Sequence, residues 1–169
     1  MVLEDLYNTI KSGFEAIEGV QTVSLMPRRR DAITLPAILI ELAELEMGED
    51  PGTGELGVVS HWEARVVTSN KPDERQAWGL AQAILYWLFD FSWPSIKVSR
   101  AHIKQAAPDH FSPEFQGHRV WLIEWTHAIR IGENIWEGGD AITPETFILH
   151  CGDYSEEIPV ANTSGQTTP

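Results

Sequence analysis

The pattern of apolar and polar residues is clearest between Pro72 and Phe91, where it predicts an amphipathic helix. Six apolar residues recur at the spacing of one buried helical face: Ala77, Leu80, Ala81, Ile84, Leu88 and Phe91. Four further large apolar residues do not fit on that face: Trp78, Leu85, Trp87 and Phe89. A surface helix has one apolar stripe, so the second set predicts a helix that is covered on two sides. The sheet provides one cover, and either a second helix or another subunit provides the other.

The remaining periodic segments predict one more helix and five strands. Residues 3–18 carry apolar side chains at helical spacing, and Gly19 is expected to end this first helix. Alternating apolar residues predict strands at Val20–Leu25, Pro36–Met47, Val58–Thr68, Ile96–Gln105 and Arg119–Ile131. The last strand is apolar on both faces in its first half, which places it inside the sheet. The pattern therefore predicts an α+β fold, a mixed and mainly antiparallel sheet with two helices packed on one face.

The segment Pro36–Met47 is rich in Leu, Ala and Glu, which also suit a helix. We interpret it as a strand because a proline begins it and because Ile38, Ile40 and Leu42 share one face by alternation. It forms a predicted hairpin with the next strand. The connecting loop Gly48–Gly57 is acidic and glycine-rich, so it is expected not to pack on its own core. It is either a flexible tip or a segment that orders on meeting a partner.

The periodicity ends at Gly132, and residues 132–169 are predicted to form an extended arm after an α/β domain of residues 1–131. Residues 161–169 have the composition of a disordered end. The arm nevertheless contains large apolar residues such as Trp136 and Phe147, and full burial of each would contribute about 1.5–3 kcal/mol. We therefore expect the arm to dock on its own domain or on a neighbouring copy.

The net charge of −13 argues against sequence-independent binding of nucleic acid, which depends on Lys and Arg. The acidity is uneven, because seven Asp or Glu and no Lys or Arg follow Ile131. The single cysteine, Cys151, excludes an internal disulfide, and the N-terminus lacks the pattern of a signal peptide. No apolar segment is long enough to span a bilayer. The sequence predicts a protein that is made in a cytoplasm and binds neither membranes nor specific nucleic acid.

No motif for catalysis or cofactor binding is present, since the chain contains no GxxxxGK, GxGxxG or GxSxG. The six histidines show no zinc spacing, and His127 is expected to be a satisfied core or interface residue. We predict no catalytic residue, no cofactor and no metal. The alternative from another class is a small metal-dependent hydrolase or nuclease that uses Glu41, Glu63 and Glu124, which lie on strands predicted to share a sheet. Exposed or cross-strand paired glutamates are the ordinary explanation of such residues.

Polar tips and exposed aromatic residues are the predicted interface candidates. The basic run Arg28–Arg30 is either a solvated loop or a contact with an acidic neighbour. The complete set of candidates is Arg28, Arg29, Arg30, Glu49, Asp50, Trp78, Leu85, Trp87, Phe89, Trp136 and Phe147.

With these elements in order, residues 1–131 resemble the tail terminator, or tail completion, proteins of long-tailed bacteriophages. The stretches that carry the resemblance are PAILIELAEL, HWEARVVTSN, AWGLAQAILYWL and VWLIEWTHAIRIG. Related head-to-tail joining proteins of the phage neck share much of the same pattern. The arm after Gly132 is longer than the minimal pattern of the family requires.

The resemblance implies a structural virion protein rather than an enzyme. It implies a homo-oligomeric ring of six copies at the head-proximal end of the tail tube, which ends polymerisation of the tube and joins tail to head. The implied partners are the tail tube protein, the sheath protein where the tail has a sheath, and connector or neck proteins of the head. DNA is expected to pass through such a ring, and a channel that must not retain DNA suits an acidic chain.

Overall fold

The computed structural model describes residues 2–26, 33–69, 74–93, 97–109, 117–137, 146–151 and 154–159. The chain divides into two units, Met1–Asn134 and Ile135–Pro169. The first unit contains two helices, α1 (Val2–Glu15) and α2 (Glu74–Asp90). Its five strands are β1 (Thr22–Leu25), β2 (Ala37–Met47), β3 (Leu56–Ser69), β4 (His102–Pro108) and β5 (His118–Ile131). The predicted fold class is therefore confirmed as a five-stranded mixed sheet with two helices.

The strands lie in the order β1-β2-β3-β5-β4. Strand β1 pairs with β2 in parallel, and the other three pairings are antiparallel. The predicted interior position of the last strand is correct, because β5 lies between β3 and β4. The longest pairing joins β3 and β5 over 14 residues, from Leu56 opposite Ile131 to Ser69 opposite His118.

The predicted start of β4 is wrong, since the strand begins at His102, and Ile96 itself lies outside the described residues. Before it, Val98 forms only an isolated bridge with Ile129. The interruption has a local cause at Ser99, whose hydroxyl oxygen accepts a hydrogen bond from the backbone N of Ala128 at 2.8 Å. A serine side chain can satisfy a backbone donor in this way and so compete with a regular strand ladder.

Both helices pack on the same face of the sheet. Helix α1 buries Leu6, Ile10 and Phe14 in the core. The first five residues of the face predicted for α2, Ala77 to Leu88, are all buried, and Phe91 is half-buried. Beneath the helices, Trp62 and Trp125 lie opposite each other on β3 and β5, and their rings stack at 6.5 Å. Phe14 contacts Trp125 edge-on at 6.1 Å, so aromatic contacts join α1 to the centre of the sheet.

A β-bulge divides β2 into two halves. Leu42 lies opposite Trp62 but Glu44 lies opposite His61, so Ala43 is the extra residue. A shift of one residue exchanges the two faces of a strand. After the bulge, Leu45 and Met47 therefore lie on the helix side of the sheet, where an unbroken alternation would have placed Glu44 and Glu46.

The loop at the tip of the β2–β3 hairpin is folded onto its own subunit, contrary to the prediction. The backbone N of Gly48 donates to the carbonyl oxygen of Gly57 at 3.0 Å, which closes the loop. The Glu55 carboxylate is buried and pairs with Lys97 Nζ at 2.8 Å. Hydrogen bonds from Lys97 and from the Thr53 hydroxyl hold the pKa of Glu55 below its usual value. The loop therefore packs on its own subunit through the salt bridge between Glu55 and Lys97, which takes the place of apolar contacts.

The second unit contains β6 (Thr146–Cys151) and β7 (Tyr154–Pro159), which pair as a two-stranded antiparallel sheet. These strands lie in the region predicted to be an extended arm. In the parts of the chain that the structure describes, neither helix has the length and hydropathy needed to cross a membrane.

Candidate assembly surface

Three residues of α2 form an apolar ridge on the surface of the first unit. We define the α2 ridge as Trp78, Leu85 and Phe89, which fall within about 40° of one another at 3.6 residues per turn. Trp78 is 49% exposed and Phe89 is 69% exposed, while Leu85 is half-buried against the core. Large apolar side chains at this exposure are typical of surfaces that are covered on association.

Trp87, the fourth residue of the predicted second face, lies on the opposite flank of α2. Its ring contacts Phe14 of α1 edge-on at 5.3 Å and stacks on Phe91 at 4.6 Å. Trp93 contacts it at 5.7 Å. The two interpretations of the second face therefore apply to different flanks. A second helix covers the flank of Trp87, whereas Trp78 and Phe89 remain exposed.

A groove runs between α1 and α2 on the flank of Trp87. We define the interhelical groove by three recesses of about 350, 430 and 470 Å³, which share lining residues. Its floor and α2 wall are formed by Gly79, Ala83, Trp87 and Phe91, and residues 8–19 of the chain supply the other wall. Residues 8–13 share a recess with Trp87 and Phe91, and residues 17–19 share one with positions 75–83.

The other predicted interface residues lie elsewhere. Glu49 and Asp50 are exposed at the tip of the β2–β3 hairpin, where the Asp50 carboxylate accepts a hydrogen bond from the backbone N of Gly52. Trp136 belongs to the second unit and is 73% exposed. The run Arg28–Arg30 lies outside the described residues, as does the side chain of Phe147. Among the predicted candidates that the structure describes, the three ridge residues share one surface, and Glu49 and Asp50 share the hairpin tip.

Sequence reasoning missed two exposed apolar features. Tyr86 is 66% exposed and lines the interhelical groove. Four more residues are exposed at the hairpin end of the helix-side face of the sheet: Leu45, Met47, Leu56 and Ile131. The adjacent aromatic residues in AILYWLFDF are a signal for Tyr86. Because the bulge at Ala43 exchanges the two faces of β2, the alternation in the sequence does not show that Leu45 and Met47 lie on the helix side.

The three glutamates of the enzyme alternative form one row across the sheet. Glu63 lies opposite Glu41 on one side and opposite Glu124 on the other. Arg65 donates to Glu41 at 2.9 Å and pairs with Glu63 at 2.7 Å, and its Nε lies 3.3 Å from Asp109. The side chain of Gln105 donates to Glu124. Burial alone would lower the pKa of Arg65, but Glu63, Glu41 and Asp109 together outweigh it and raise this pKa.

This row fits cross-strand ion pairing, the ordinary explanation, because a cation or an amide already occupies each carboxylate. Among the described residues, no group of three His, Cys, Asp or Glu is arranged to hold a metal ion.

Replacement of Arg65 by Met is expected to lower the free energy of unfolding by about 1–3 kcal/mol, because it removes the cation that Glu41, Glu63 and the buried Asp109 carboxylate share. Urea denaturation at pH 7 measures the change. Lys11→Met is the matched control, since it removes an exposed pair with Glu15 that is worth about 0.3–0.5 kcal/mol. Equal losses in the two variants would show that the Arg65 cluster has no special role.

His127 is a satisfied core histidine. It is fully buried, and its Nδ1 donates to the carbonyl oxygen of Ser99 at 2.9 Å. Its Nε2 accepts a hydrogen bond from Trp125 Nε1 at 3.1 Å. Burial lowers the pKa of His127 to about 4, although the bond to Ser99 opposes this shift. The ring is therefore neutral at pH 7, and both of its nitrogens are engaged.

Comparison with known proteins shows similarity of fold. No protein-family model matches the chain, and no curated protein matches it in sequence. A solved structure, the virion of a native gene transfer agent particle, contains a chain with a TM-score of 0.51 and 12% identity. The match covers 72% of this chain and 91% of that chain. At this identity the match shows that the two chains share a fold.

Proposed function

We propose that this chain is a structural virion protein that forms a closed ring at the head-proximal end of a phage tail tube. There it ends polymerisation of the tube and joins the tail to the head. By the family resemblance the ring has six copies. Its partners are the tail tube protein on one side, with the sheath protein in a sheathed tail, and connector or neck proteins on the other side.

The observation that carries this proposal is the exposed α2 ridge on a fold shared with a virion chain. Trp78 and Phe89 have no function in the core of the subunit, yet they are large apolar residues on a rigid helix. Burial on a neighbouring copy would contribute about 1.5–3 kcal/mol for each side chain that is fully covered. A structural role in an assembly therefore explains residues that a monomeric protein would keep at a cost in solubility.

Two further features support a ring through which DNA passes. The net charge of −13 repels a DNA backbone, which a channel must not retain. The exposed carboxylates Glu49 and Asp50 lie on a hairpin tip that is fixed by the Glu55–Lys97 pair. We assign this tip and the basic run Arg28–Arg30 to contacts along the tail axis.

Deletion of the gene from a phage that encodes this chain is expected to give tails of uncontrolled length that do not join heads. The reason is that a tail tube without its terminal ring continues to add subunits and offers no surface to the head connector. Electron microscopy of the lysate measures tail length and head attachment. Expression of the protein in trans should restore both properties.

Normal tails joined to heads in the absence of the protein would overturn the proposal. Tails of normal length that fail to join heads would instead favour the alternative, another head-to-tail joining protein of the neck. Electron microscopy of the purified protein provides an independent check, because a tail terminator of this kind should show closed rings.

A further inference from the structure

We infer that the α2 ridge of one subunit inserts into the interhelical groove of the next copy, so that α2 carries both halves of a head-to-tail contact. This inference rests on the proposed ring and identifies its lateral interface. The occupant of the groove is thus a second copy of this chain. Each subunit offers the ridge to one neighbour and the groove to the other.

The ridge and the groove lie on opposite flanks of the same helix. Counted at 3.6 residues per turn, Trp78, Leu85 and Phe89 centre on one direction, and Ala83, Trp87 and Phe91 centre about 180° away. The buried face, which includes Ile84 and Leu88, lies between these flanks and holds α2 on the sheet. Two different surfaces on opposite flanks favour a heterologous contact, which closes into a ring when the rotation per subunit permits it.

The two surfaces also match in length. The ridge extends about 16 Å from Trp78 to Phe89, and the α2 wall of the groove extends about 18 Å from Gly79 to Phe91, at 1.5 Å per residue. The lining of the groove combines small and aromatic residues with the charged residues Glu18, Arg75 and Asp90. Gly79 has open space around its Cα at one end of the groove, and Trp87 and Phe91 stack on each other toward the other end. A recess of this kind accepts a bulky apolar side chain from another helix.

A symmetric contact of ridge with ridge would leave the groove unfilled. It would also give a two-fold dimer, because an isologous contact uses the same patch on both subunits. Such a contact does not extend into a ring by itself. The pairing of ridge with groove uses both surfaces and leaves each subunit ready for a further neighbour.

The test uses two full-length variants that each lose one half of the contact. Phe89→Glu places a charge on the exposed ridge, and Ala83→Arg fills the groove, where Ala83 lines two of the recesses. We expect native mass spectrometry to show each variant alone as a monomer. An equimolar mixture should give a 1:1 heterodimer, because the intact ridge of Ala83→Arg inserts into the intact groove of Phe89→Glu. The heterodimer then has no further intact ridge or groove, so it should not grow.

Conservative changes at the same positions are the controls. Phe89→Leu and Ala83→Ser keep an apolar ridge and an open groove, so both should assemble as the unchanged protein does. Circular dichroism and urea denaturation should show that all four variants are folded, as expected for residues that are exposed or half-exposed.

Each of the other outcomes contradicts either the contact of ridge with groove, the ring, or both. Dimers of Ala83→Arg alone would show a ridge-to-ridge contact, and a mixture that stays monomeric while the unchanged protein assembles would also refute the inference. Rings that persist in both single variants would place the lateral interface elsewhere and leave the proposed function intact. A heterodimer from the mixture, with unchanged protein that forms open filaments, would support the contact and contradict the ring. An unchanged protein that is monomeric at all concentrations would overturn both proposals.

Discussion

Replacement of Gly13 by Ala is expected to lower the free energy of unfolding by about 1–3 kcal/mol, although alanine is the better helix former. A Cβ at position 13 of α1 would overlap the Trp87 ring at Cζ2 and Cε2. Trp87 cannot move freely, because Phe14, Phe91 and Trp93 surround it. The overlap can therefore be relieved only if the two helices move apart or if Trp87 adopts another rotamer.

Gly79→Ala is the matched control for this change. Gly79 also lies inside a helix, but a Cβ there meets no atom within 4 Å. The free energy of unfolding should rise by about 0.5–1 kcal/mol in this variant, since only the helix propensity changes. Urea denaturation of both variants measures the difference. Equal effects at the two positions would show that α1 and α2 are not held in close contact at Gly13.

The helices and the faces of the central strands are predictable from the sequence because burial repeats with a fixed period. In β3, alternate residues from Val58 to Val66 are buried on the helix side, as the pattern predicts. In α2, the residues from Ala77 to Leu88 at helical spacing form the buried face. The buried face of a helix can be predicted without knowing what covers it, because any sheet beneath the helix buries the same apolar stripe.

Features that depend on one side chain in a long-range contact are harder to predict from the sequence. The interruption before β4 depends on the bond between Ser99 and Ala128, and the folded hairpin tip depends on the pair between Glu55 and Lys97. Each partner is more than 20 residues away along the chain. The bulge at Ala43 explains why β2 resembles a helix in sequence, because it places Leu42 and Leu45 three residues apart on one face.

The candidate assembly surface can be predicted from the sequence in part. An apolar second face on α2 follows from counting the large residues that do not fit on the first face. The division of that face into a covered flank at Trp87 and an exposed ridge at Phe89 depends on where α1 lies. The register of α1 against α2 is set by the close approach at Gly13, which no periodic pattern reports. The groove, which lies between two helices, is for the same reason a property of the fold alone.

Lowering the pH from 7 to about 4 is expected to lower the free energy of unfolding by about 3 kcal/mol through His127 alone. The pKa of His127 is about 4 in the folded protein, against 6.5 for an unperturbed histidine. Between these values the unfolded chain binds a proton that the folded protein does not, so stability falls as the pH decreases. Above pH 6.5 neither state binds the proton, and the contribution of His127 is fully present.

The physical cause is that the folded site has no place for a second proton on the ring. Trp125 already donates to Nε2, and Trp93 lies against the ring at 4.3 Å, so an imidazolium would be buried among apolar groups with two donors facing each other. His127→Gln should remove this part of the pH dependence, whatever its effect on stability at pH 7. The matched control is His102→Gln, which makes the same substitution at an exposed histidine on β4. Urea denaturation at half-unit steps of pH measures the slope, and a slope that is the same with and without His127 would show that this ring takes up its proton in the folded state.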